Sequence, residues 1–552
     1  MGELEDKILR PITSTGSSFY LFIGILLAIL GWFSYAYYIQ LSQGLGVTGM
    51  NEPVYWGLYI ASFIFFVGIA HGGISISAAV SVFKLENYRP VARIGELLTI
   101  ISLMLSGIMI TFDLGRPDRV LNLLRYGRWQ SPLVWDVIII TIYFMGSVTF
   151  MYLGLRKDMP ALIKRFPGRG IYKFLAAGYK GTQKEKEVND RVGYYLGIAL
   201  LAIMVMASGG VIPLIFGLQV AQPGWFTALL PVYFLCAALS SAIAGVIIIA
   251  AIARRIFGWE EFIKEKIFIG LANVLRIFLL FYVYFIVSEQ LTIRYAGPHP
   301  EQVVSNALFF GEFSTLWWAY LIIFTAVPFF LLVIPQTRNI KGIFIASMLI
   351  VPGLWLKRLL IVVPPLTRQL LPTPVIDPVT RSTFLSPATS IGVYSPTWVE
   401  WSLFIGVLSL GALLFTLFSK FFPLIELDVG ETLEMERESA QADVPSPETK
   451  ASSAEAPSAG EAKEPAKCDL CGAEFSTMDE CCEHAETEHQ ITKASCDMAC
   501  VPAGAETEVE ASKGSECELC GATFGTLDEC CEHAEKEHQI SKSSCDMACK
   551  EG

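Results

Sequence analysis

Residues 54–83 read VYWGLYIASFIFFVGIAHGGISISAAVSVF, a run of thirty residues without a single Asp, Glu, Lys or Arg. A hydrocarbon core of about 30 Å needs about twenty apolar residues in a helix. Backbone groups in lipid must also form their hydrogen bonds within the segment, which a helix achieves. The stretch therefore predicts a transmembrane α-helix.

Apolar runs of this kind recur along the whole chain. The predicted spans are 18–40, 54–83, 94–113, 132–155, 192–215, 226–253, 267–290, 313–335, 342–363 and 397–422. The composition agrees, because 53% of the residues are hydrophobic, 17% are charged and the mean hydropathy is +0.50. Such a chain is too apolar for an ordinary soluble protein. We predict an all-α polytopic membrane protein with about ten transmembrane helices.

Charge and cysteine divide the chain into a membrane body, residues 1–427, and a tail, residues 428–552. The body carries 32 Lys and Arg against 22 Asp and Glu, a net charge of +10, whereas the tail carries 9 against 30, a net charge of −21. Of 13 cysteines, only Cys236 lies in the body. Body and tail are therefore expected to serve different purposes.

The body lacks the ligands that most bound redox centres need. A membrane-embedded b-type haem needs helical histidines, and the body offers only His71 and His299. His299 follows Gly297-Pro298, which is a loop signal. Since one cysteine cannot hold an iron–sulfur cluster, we expect no haem and no cluster on this chain.

Cations predict the orientation of the spans. With the N-terminus inside, the inner segments hold 21 Lys and Arg and the outer loops hold 7, as the positive-inside rule requires. The charged N-terminal residues precede a full-length span, so we expect no cleavable signal peptide. We predict a multi-pass protein of the cytoplasmic membrane with both termini in the cytoplasm. One outer loop departs from the trend, because it holds Arg116, Arg119, Arg125 and Arg128.

The tail consists of a linker and a duplicated module. Residues 428–467 are rich in Glu, Ser, Ala and Pro, which predicts a disordered acidic linker. Two similar modules follow at residues 468–500 and 517–549, joined by a second linker at 501–516, and they repeat at an offset of 49 residues.

Each module carries the pattern C-x2-C-x12-H-x4-H. Two thiolates on a tight turn and two imidazoles one helical turn apart supply a tetrahedral Zn²⁺ site. The predicted zinc ligands are Cys468, Cys471, His484 and His489 in the first module, and Cys517, Cys520, His533 and His538 in the second. The modules resemble Cys2His2 zinc fingers, except that Cys481 and Cys530 stand where such fingers carry Leu.

Two further features of the modules limit their function. Residues 468–500 carry eight Asp and Glu but only Lys493 as a cation, so phosphate would be repelled and we predict no nucleic-acid binding. The remaining thiols are either small core hydrophobes, a second metal site or a redox-labile pair. We interpret the modules as docking or regulatory units.

Ionisable groups inside transmembrane segments are costly and are therefore functional candidates. They are His71, Glu96, Asp113, Asp136, Arg276, Glu289, Lys357 and Arg358. Under the predicted orientation, Asp113, Asp136 and Glu289 all lie near the outer boundary and could converge beside the four-arginine loop. The alternatives are that the charges snorkel to the interface and that His71 is a hydrogen-bonded structural residue.

Five motifs resemble the NrfD/PsrC family, the membrane subunits of polysulfide-reductase-like respiratory complexes. They are Gly68-Ile-Ala-His71-Gly72-Gly73, Asp113-Leu-Gly-Arg116-Pro117, Arg128-Trp-Gln-Ser131-Pro132-Leu-Val-Trp135-Asp136, Ser288-Glu289-Gln290-Leu-Thr-Ile-Arg294-Tyr295 and Gly353-Leu-Trp-Leu-Lys-Arg358. The resemblance covers residues 15–425. Ten spans are typical of the longer branch, which includes membrane subunits of alternative complex III, the quinone reductase complex and the Dsr and Hme complexes.

The resemblance implies a quinone-binding subunit, with menaquinone as the expected quinone, that is not catalytic on its own. A ferredoxin-like iron–sulfur subunit would sit at the outer face and exchange electrons with the quinone. Further redox subunits would be a multihaem cytochrome c, a heterodisulfide-reductase-like subunit or a molybdopterin subunit. A role in sulfur- or sulfite-linked anaerobic respiration is favoured.

The resemblance also assigns residues to roles. The proton-relay candidates are His71, Asp113, Asp136 and Glu289, and the quinone and partner region comprises Gly72, Gly73, Arg116, Arg128, Trp129, Ser131 and Trp135. Trp129 or Trp135 would pack on the quinone ring. A carboxylate or imidazole must exchange the two protons that accompany two electrons.

Two other functions remain open at this point. A secondary transporter is suggested by Gly209-Gly210 and Pro213, since such interruptions mark the broken helices of transporters. A signalling receptor with a zinc-finger output is the third hypothesis, although nothing in the body indicates a ligand.

Overall fold

The computed structural model describes residues 3–368 and 392–428, together with short backbone strands outside these ranges. The chain divides into two compact units, Met1–Pro445 and Ser446–Gly552. The first unit is helical. Its helices are α1 (Glu3–Ile8), α2 (Arg10–Thr13), α3 (Ser17–Gln43), α4 (Leu58–Val82), α5 (Arg89–Asp113), α6 (Asn122–Tyr126), α7 (Pro132–Arg165), α8 (Gly170–Ala176), α9 (Gln183–Met206), α10 (Ile212–Gly217), α11 (Leu230–Phe257), α12 (Glu265–Ala296), α13 (His299–Phe309), α14 (Ser314–Leu321), α15 (Val327–Val333), α16 (Ile340–Leu366) and α17 (Trp398–Phe421).

Among the described residues, ten helical segments are long and apolar enough to cross a membrane, which confirms the predicted number of spans. Seven are single helices. Three are composite, because the 3-10 turn Glu86–Tyr88 continues into α5, α9 into α10 and α14 into α15. Several helices extend beyond the predicted apolar core. Helix α7, for example, continues to Arg165 past Pro160, because its last turns carry charged residues that suit water rather than lipid.

Helix α4 is the most deeply buried span and lies at the centre of the body. It packs against α5, α9, α11 and α16. Two glycines permit these close crossings: a Cβ at Gly72 would lie 2.2 Å from Cβ of Ala242, and a Cβ at Gly73 would lie 2.6 Å from the carbonyl oxygen of Gly95. Small residues at such crossings let helix backbones approach within a membrane. Gly72 and Gly73 therefore serve helix packing.

Helix α3 lies at the periphery of the bundle. Its apolar side chains are largely exposed, including Tyr20, Leu21, Ile25 and Trp32. In a membrane protein, lipid tails rather than protein cover such a surface. The exposed face of α3 is therefore suited to lipid contact.

Two spans contain a π-helical turn. These turns cover Ala207–Val211, between α9 and α10, and Ile322–Ala326, between α14 and α15. The interruption that Gly209, Gly210 and Pro213 suggested is thus a wide helical turn, and the backbone is helical on both sides of it. Isolated π turns of this kind occur frequently at functional sites.

At the face that carries the N-terminus, a buried ion pair joins three elements. Arg93 of α5 lies 2.6 Å from Asp158 of α7, and their side chains are 1% and 4% exposed. Arg93 also donates to the carbonyl oxygens of Pro423 (3.0 Å) and Ile425 (3.4 Å), just after α17. The backbone N–H of Leu427 donates to Asp158 at 3.3 Å. The end of the membrane body is therefore fixed to α5 and α7.

The described strands are short. In the first unit, β1 (Pro374–Ile376) pairs antiparallel with β2 (Thr383–Leu385). In the second unit, β3 (Ala466–Cys468) lies between β4 (Glu474–Phe475) and β5 (Cys500–Pro502), and β6 (Ser515–Cys517) lies between β7 (Thr523–Phe524) and β8 (Cys549–Glu551). The predicted linkers at 428–467 and 501–516 fall mostly outside the described residues, and their bounds stay predictions.

Candidate functional site

His71 lies in the middle of α4 and is 1% exposed. Its Nδ1 shares a hydrogen bond of 2.5 Å with the hydroxyl of Ser208, which belongs to the first π turn. Its ring centroid lies 5.2 Å from that of Tyr143. Within the described part of the chain, Nε2 has no hydrogen-bond partner. His71 is thus held at one nitrogen and can exchange a proton at the other.

Asp136 lies in the first turns of α7 and is 4% exposed. Its Oδ1 accepts no hydrogen bond from any described residue. Tyr143 follows seven residues later, two helical turns or roughly 10 Å along α7. Asp136 and His71 thus each present a buried polar atom without a partner among the described residues, and only His71 has an observed contact with Tyr143.

Asp113 is the last residue of α5. Its Oδ1 is buried and has no partner among the residues that the structure describes. The charge of Glu400 acts on Asp113, and the charge of Asp113 acts on the neutral phenol of Tyr59. Gln40 accepts a hydrogen bond of 2.6 Å from Tyr59 and donates one of 2.8 Å to the carbonyl oxygen of Phe112. In the described ranges, no cation is among the charges that act on Asp113.

Glu400 is 0% exposed and, unlike Asp113, accepts hydrogen bonds at both oxygens. The phenol of Tyr394 donates to Oε1 at 2.6 Å, and the backbone N–H groups of Gly49 and Thr397 donate to Oε2 at 2.7 and 2.9 Å. Burial, together with the charge of Glu400, raises the pKa of Tyr394, so the phenol stays a donor. We call Gln40, Tyr59, Asp113, Tyr394 and Glu400 the Asp113 cluster.

Sequence reasoning missed four members of this cluster. Thr397 and Glu400 have the spacing of a helix capping box, and both capping hydrogen bonds are present. Because the capping box already explains Glu400, the sequence gives no sign that this carboxylate is buried beside Asp113. Gln40 and Tyr59 were detectable only as polar residues within otherwise apolar spans. Their contacts with each other and with Phe112, the neighbour of Asp113 in sequence, bring together parts of the chain that are far apart in sequence.

The loop between α5 and α7 presents cations and aromatic rings together. Arg116 pairs with Asp118 at 3.1 Å, and both side chains are exposed. Arg119, Arg125 and Arg128 are also exposed. The indole N–H of Trp135 donates to the carbonyl oxygen of Trp129 at 2.7 Å, and the two rings meet edge to face at 6.0 Å. Ser131 precedes α7 as its N-cap residue.

Trp129 and Trp135 are 66% and 44% exposed. Tyr126 and Leu121, in the same loop, are also largely exposed. The loop thus forms a surface with four arginines, one carboxylate and several large apolar side chains, and we call it the arginine–tryptophan surface. Aromatic residues and arginine are the types most enriched in protein interfaces.

Glu289 belongs to a different cluster, between α12, α14 and α16. Its Oε2 lies 3.9 Å from Nζ of Lys357, which also lies over the rings of Trp317 and Tyr233. Arg358 lies 3.9 Å over the ring of Phe234. In the described ranges, Glu289 has no interaction with Asp113 or Asp136. The structure therefore does not bring the three predicted carboxylates together.

Three phenols extend this second cluster. Tyr233 and Tyr320 both donate to the hydroxyl of Tyr282, at 3.2 and 2.8 Å. A cavity of about 30 Å³ borders Glu289, Lys357 and Glu301, which is room for about one water. Burial raises the pKa of Glu301, whose carboxylate accepts a hydrogen bond from the N–H of Gly224 at 2.7 Å.

A larger cavity of about 760 Å³ opens at the face that carries the N-terminus. Glu96 of α5 borders it, is 7% exposed and accepts a hydrogen bond at Oε1 from Ser77. The other oxygen of Glu96 has no partner within the described segments. Arg89, Glu426 and Asp428 also line this cavity, and Arg89 pairs with Glu426 at 2.9 Å and with Asp428 at 3.2 Å.

The predicted zinc ligands fall mostly outside the described residues. Only Cys468 and Cys517 are described, as strand residues. Cys471, His484, His489, Cys520, His533 and His538 are not described. Zinc binding by the tail stays a prediction.

Comparison with known proteins gives a consistent result for the membrane body. The family model described as "Polysulphide reductase, NrfD" matches residues 46–368. The chain is 29% identical to a candidate membrane subunit of dimethyl sulfoxide reductase from Halobacterium salinarum, over 77% of this chain and 96% of that protein.

Two further relatives extend the comparison. The chain is 25% identical to a selenate reductase subunit from Mesobacillus selenatarsenatis, over 75% of this chain and 95% of the relative. It is 22% identical to the Hdr-like menaquinol oxidoreductase integral membrane subunit of Archaeoglobus fulgidus, over 77% of this chain and 98% of the relative. Each of the three relatives is thus matched along almost its whole length, whereas part of this chain has no counterpart in them.

Proposed function

Because the chain belongs to the polysulphide reductase NrfD family, we propose that it is the quinone-binding integral membrane subunit of a respiratory oxidoreductase complex. A relative named as a menaquinol oxidoreductase subunit supports menaquinone as the quinone. The complex would also contain redox subunits on other chains. The observation that carries the proposal is Asp113, a half-buried carboxylate whose buried Oδ1 has no partner among the described residues, at the start of an exposed loop suited to a partner.

The Asp113 cluster has the chemistry of a site for a quinol hydroxyl. Oδ1 of Asp113 needs a hydrogen-bond donor, and the described residues supply none. The five residues of the cluster include no cation, and Glu400 places a second negative charge nearby. A carboxylate in such surroundings gains by accepting a proton. When a quinol is bound, it supplies two electrons and two protons, and Asp113 is the proposed acceptor for one of these protons.

His71 and Asp136 are the other proposed proton acceptors. Both have an unpartnered polar atom among the described residues, and the ring of His71 lies beside that of Tyr143. Ser208 fixes the imidazole of His71, so that Nε2 is the nitrogen free to exchange a proton. Glu289, paired with Lys357, is a proposed relay residue of the second cluster. Water would have to bridge the gap between His71 and Asp136.

The arginine–tryptophan surface is the proposed contact for a ferredoxin-like iron–sulfur subunit. Its cations Arg116, Arg119, Arg125 and Arg128 would complement acidic side chains on that partner. Trp129 and Trp135 supply large apolar area, and one of them would pack against the quinone ring. The predicted orientation places this surface on the outer, non-cytoplasmic side of the membrane and both termini in the cytoplasm.

The finer identity of the complex rests on the remaining partners. We propose a complex of sulfur- or sulfite-linked anaerobic respiration, of the Dsr or Hme type, with a multihaem cytochrome c, a heterodisulfide-reductase-like subunit or a molybdopterin subunit as a further component. The tail, with its predicted zinc modules, would dock or regulate another protein.

Purification in a mild detergent tests the proposal. The lipid extract of the purified sample should contain quinone, and an iron–sulfur protein should co-purify with the chain. A chain that purifies alone and without quinone would contradict the proposal. Ion flux into proteoliposomes in the absence of an electron donor would instead support a secondary transporter.

A charge-reversal pair tests the partner surface. We expect Arg125→Glu with Arg128→Glu to weaken retention of the iron–sulfur subunit by about tenfold or more, with a reduced dependence on salt. Lys184→Glu with Lys186→Glu, on exposed residues of α9 at the other face, is the matched control. Equal retention in both variants would remove the loop from the interface.

A further inference from the structure

Each tail module contains a third strand that sequence reasoning did not anticipate. In the first module, β5 pairs antiparallel with β3 and places Cys500 directly opposite Cys468. In the second module, β8 pairs antiparallel with β6 and places Cys549 directly opposite Cys517. In each module, the first cysteine of the C-x2-C motif therefore faces the last cysteine of the C-D-M-A-C motif.

This register lies within the geometric range of a disulfide bond. Directly opposed residues of an antiparallel pair share one face of the sheet, and their Cα atoms are about 4.5–5.5 Å apart. Disulfides join cysteines whose Cα atoms are about 4.4–6.8 Å apart. The backbone of either module can therefore accept a cross-strand disulfide without moving.

We propose that Cys468–Cys500 and Cys517–Cys549 are redox-active cysteine pairs that close to disulfides and so control metal binding by the tail. Cys468 and Cys517 are also predicted zinc ligands, and a sulfur in a disulfide is no longer the thiolate that zinc requires. Disulfide formation and zinc binding therefore compete for the same two sulfur atoms. The metal part rests on the proposed zinc sites, whereas the thiol pairing does not.

The duplication supports pairing over the alternative that the extra thiols are core hydrophobes. A buried free cysteine can serve as a small hydrophobe anywhere in a core, so burial alone requires no particular cysteine opposite it. Here the same two motif positions face each other in both copies, 49 residues apart. The cysteine pair, rather than a single thiol, is the repeated feature.

The chemistry is a thiol–disulfide exchange. The thiolate of one cysteine attacks a disulfide of the glutathione or thioredoxin class and forms a mixed disulfide, which releases one thiol of the oxidant. The second cysteine then attacks the mixed disulfide and releases the other thiol. Two cysteine thiols lose two electrons and two protons, the oxidant becomes two thiols, and bound zinc leaves as Zn²⁺.

The predicted location of the tail favours a switch over a permanent crosslink. Both termini are predicted to be cytoplasmic, and cytosolic thiols are kept reduced. Disulfides that form in that compartment are mostly transient and catalytic or redox-sensing. We therefore expect the pairs to be reduced and metal-bound in resting cells, and oxidised only when the local redox potential rises.

Peptide mapping of the full chain tests the pairing. The protein, in detergent with its co-purifying subunits, is equilibrated in glutathione buffers from reducing to oxidising, with and without a zinc chelator, and free thiols are then alkylated. We expect oxidation to yield crosslinked peptides that join Cys468 to Cys500 and Cys517 to Cys549. Crosslinks between Cys468 and Cys471, or between the modules, would overturn the proposal.

Zinc release tests the competition. We expect oxidised wild-type protein to release on the order of two zinc ions per chain, one for each predicted four-ligand site, to 4-(2-pyridylazo)resorcinol. Cys500→Ser with Cys549→Ser should retain zinc under the same oxidation, because neither substitution removes a predicted ligand. Cys482→Ser with Cys531→Ser removes two other thiols of the modules and should release zinc as wild type does.

These experiments test the cysteine pairing and the competition with zinc separately. If Cys500→Ser with Cys549→Ser loses zinc as readily as wild type, the proposed competition is wrong. If the crosslinks form but the purified protein never contains zinc, the zinc proposal fails while the cysteine pairs stand. Neither result depends on quinone turnover.

Discussion

Helix α5 carries a carboxylate near each end, and their surroundings differ. Glu96 is 7% exposed, whereas Asp113 is half-buried and only its Oδ1 is known to be shielded from solvent. Glu96 borders a cavity of about 760 Å³, accepts a hydrogen bond from Ser77 and lies near the guanidinium of Arg93. Asp113, seventeen residues or about 26 Å further along the helix, lies near Glu400 and Tyr59 and has no cation beside it among the described residues.

The difference indicates which carboxylate is prepared for chemistry. A nearby cation favours the charged form of a carboxylate. A carboxylate with a like charge nearby and an unpartnered oxygen is stabilised by a proton or by a bound donor. Each carboxylate has an unpartnered oxygen, but among the described residues only Glu96 has a cation beside it. We therefore expect the proton chemistry at the end of α5 that carries Asp113.

The sharpest test of this comparison is Asp113→Asn. We expect quinol-linked turnover to fall by about 10²-fold or more, because an amide cannot accept the proton that a general base must take. Turnover of the purified complex with a soluble menaquinol analogue measures the effect, and native electrophoresis checks that the complex still assembles. Glu265→Gln, an exposed carboxylate at the start of α12, is the control. Near-normal turnover would remove Asp113 from the proton path.

Arg93→Met tests whether the other end of α5 is structural. The substitution leaves Asp158 as a buried charge without its cation, and breaking such a pair costs about 3–5 kcal/mol. Thermal unfolding in detergent should show a large loss of stability. Arg89→Met, which removes more exposed ion pairs at the same face, should cost about 1 kcal/mol or less. Equal losses in both variants would argue against a special role for the buried pair.

Tyr394→Phe tests the partner of Glu400. The substitution removes a donor at 2.6 Å from Glu400, and a hydrogen bond to a charged group is worth about 1.5–3 kcal/mol. We expect turnover to fall by about tenfold, with a smaller change in the melting temperature. Tyr284→Phe, on a largely exposed tyrosine of α12, is the matched control. Unchanged turnover would mean that Glu400 acts only as a helix cap.

The smallest effect is expected for Glu96→Gln. If this carboxylate is mainly hydrated and structural, turnover should change by less than about threefold, since the amide can still accept a hydrogen bond from Ser77. Glu86→Gln removes an exposed charge from the same cavity and serves for comparison. A loss as large as that of Asp113→Asn would mean that both ends of α5 exchange protons, and the contrast drawn above would be wrong.

The sequence was sufficient for the spans, because the length and polarity of an apolar run determine whether it crosses a membrane. It also identified Asp113, His71 and Lys357, since any ionisable group in such a run is costly. It could not identify Glu400 or Gln40 as neighbours of Asp113. Those contacts join the first, second, third and tenth spans. The hydrophobic periodicity of a single helix carries no information about which distant helix it contacts.

The same limit explains why the sequence did not predict the pairing of Glu289 with Lys357. Topology alone puts Asp113, Asp136 and Glu289 at one membrane boundary, but it does not say which helices touch. In the structure, the aromatic side chains Tyr233 and Trp317 surround Lys357, and that cation pairs with Glu289. Helix packing therefore separates groups that share a depth.

The contacts of Arg93 also constrain how the membrane body can move. Its guanidinium holds α5, α7 and the chain after α17 as one block at the face of the N-terminus. If one of these helices moved along its axis relative to the others, the buried ion pair between Arg93 and Asp158 would break. We therefore expect conformational change during turnover away from this block, at positions such as the wide helical turns Ala207–Val211 and Ile322–Ala326 within their spans.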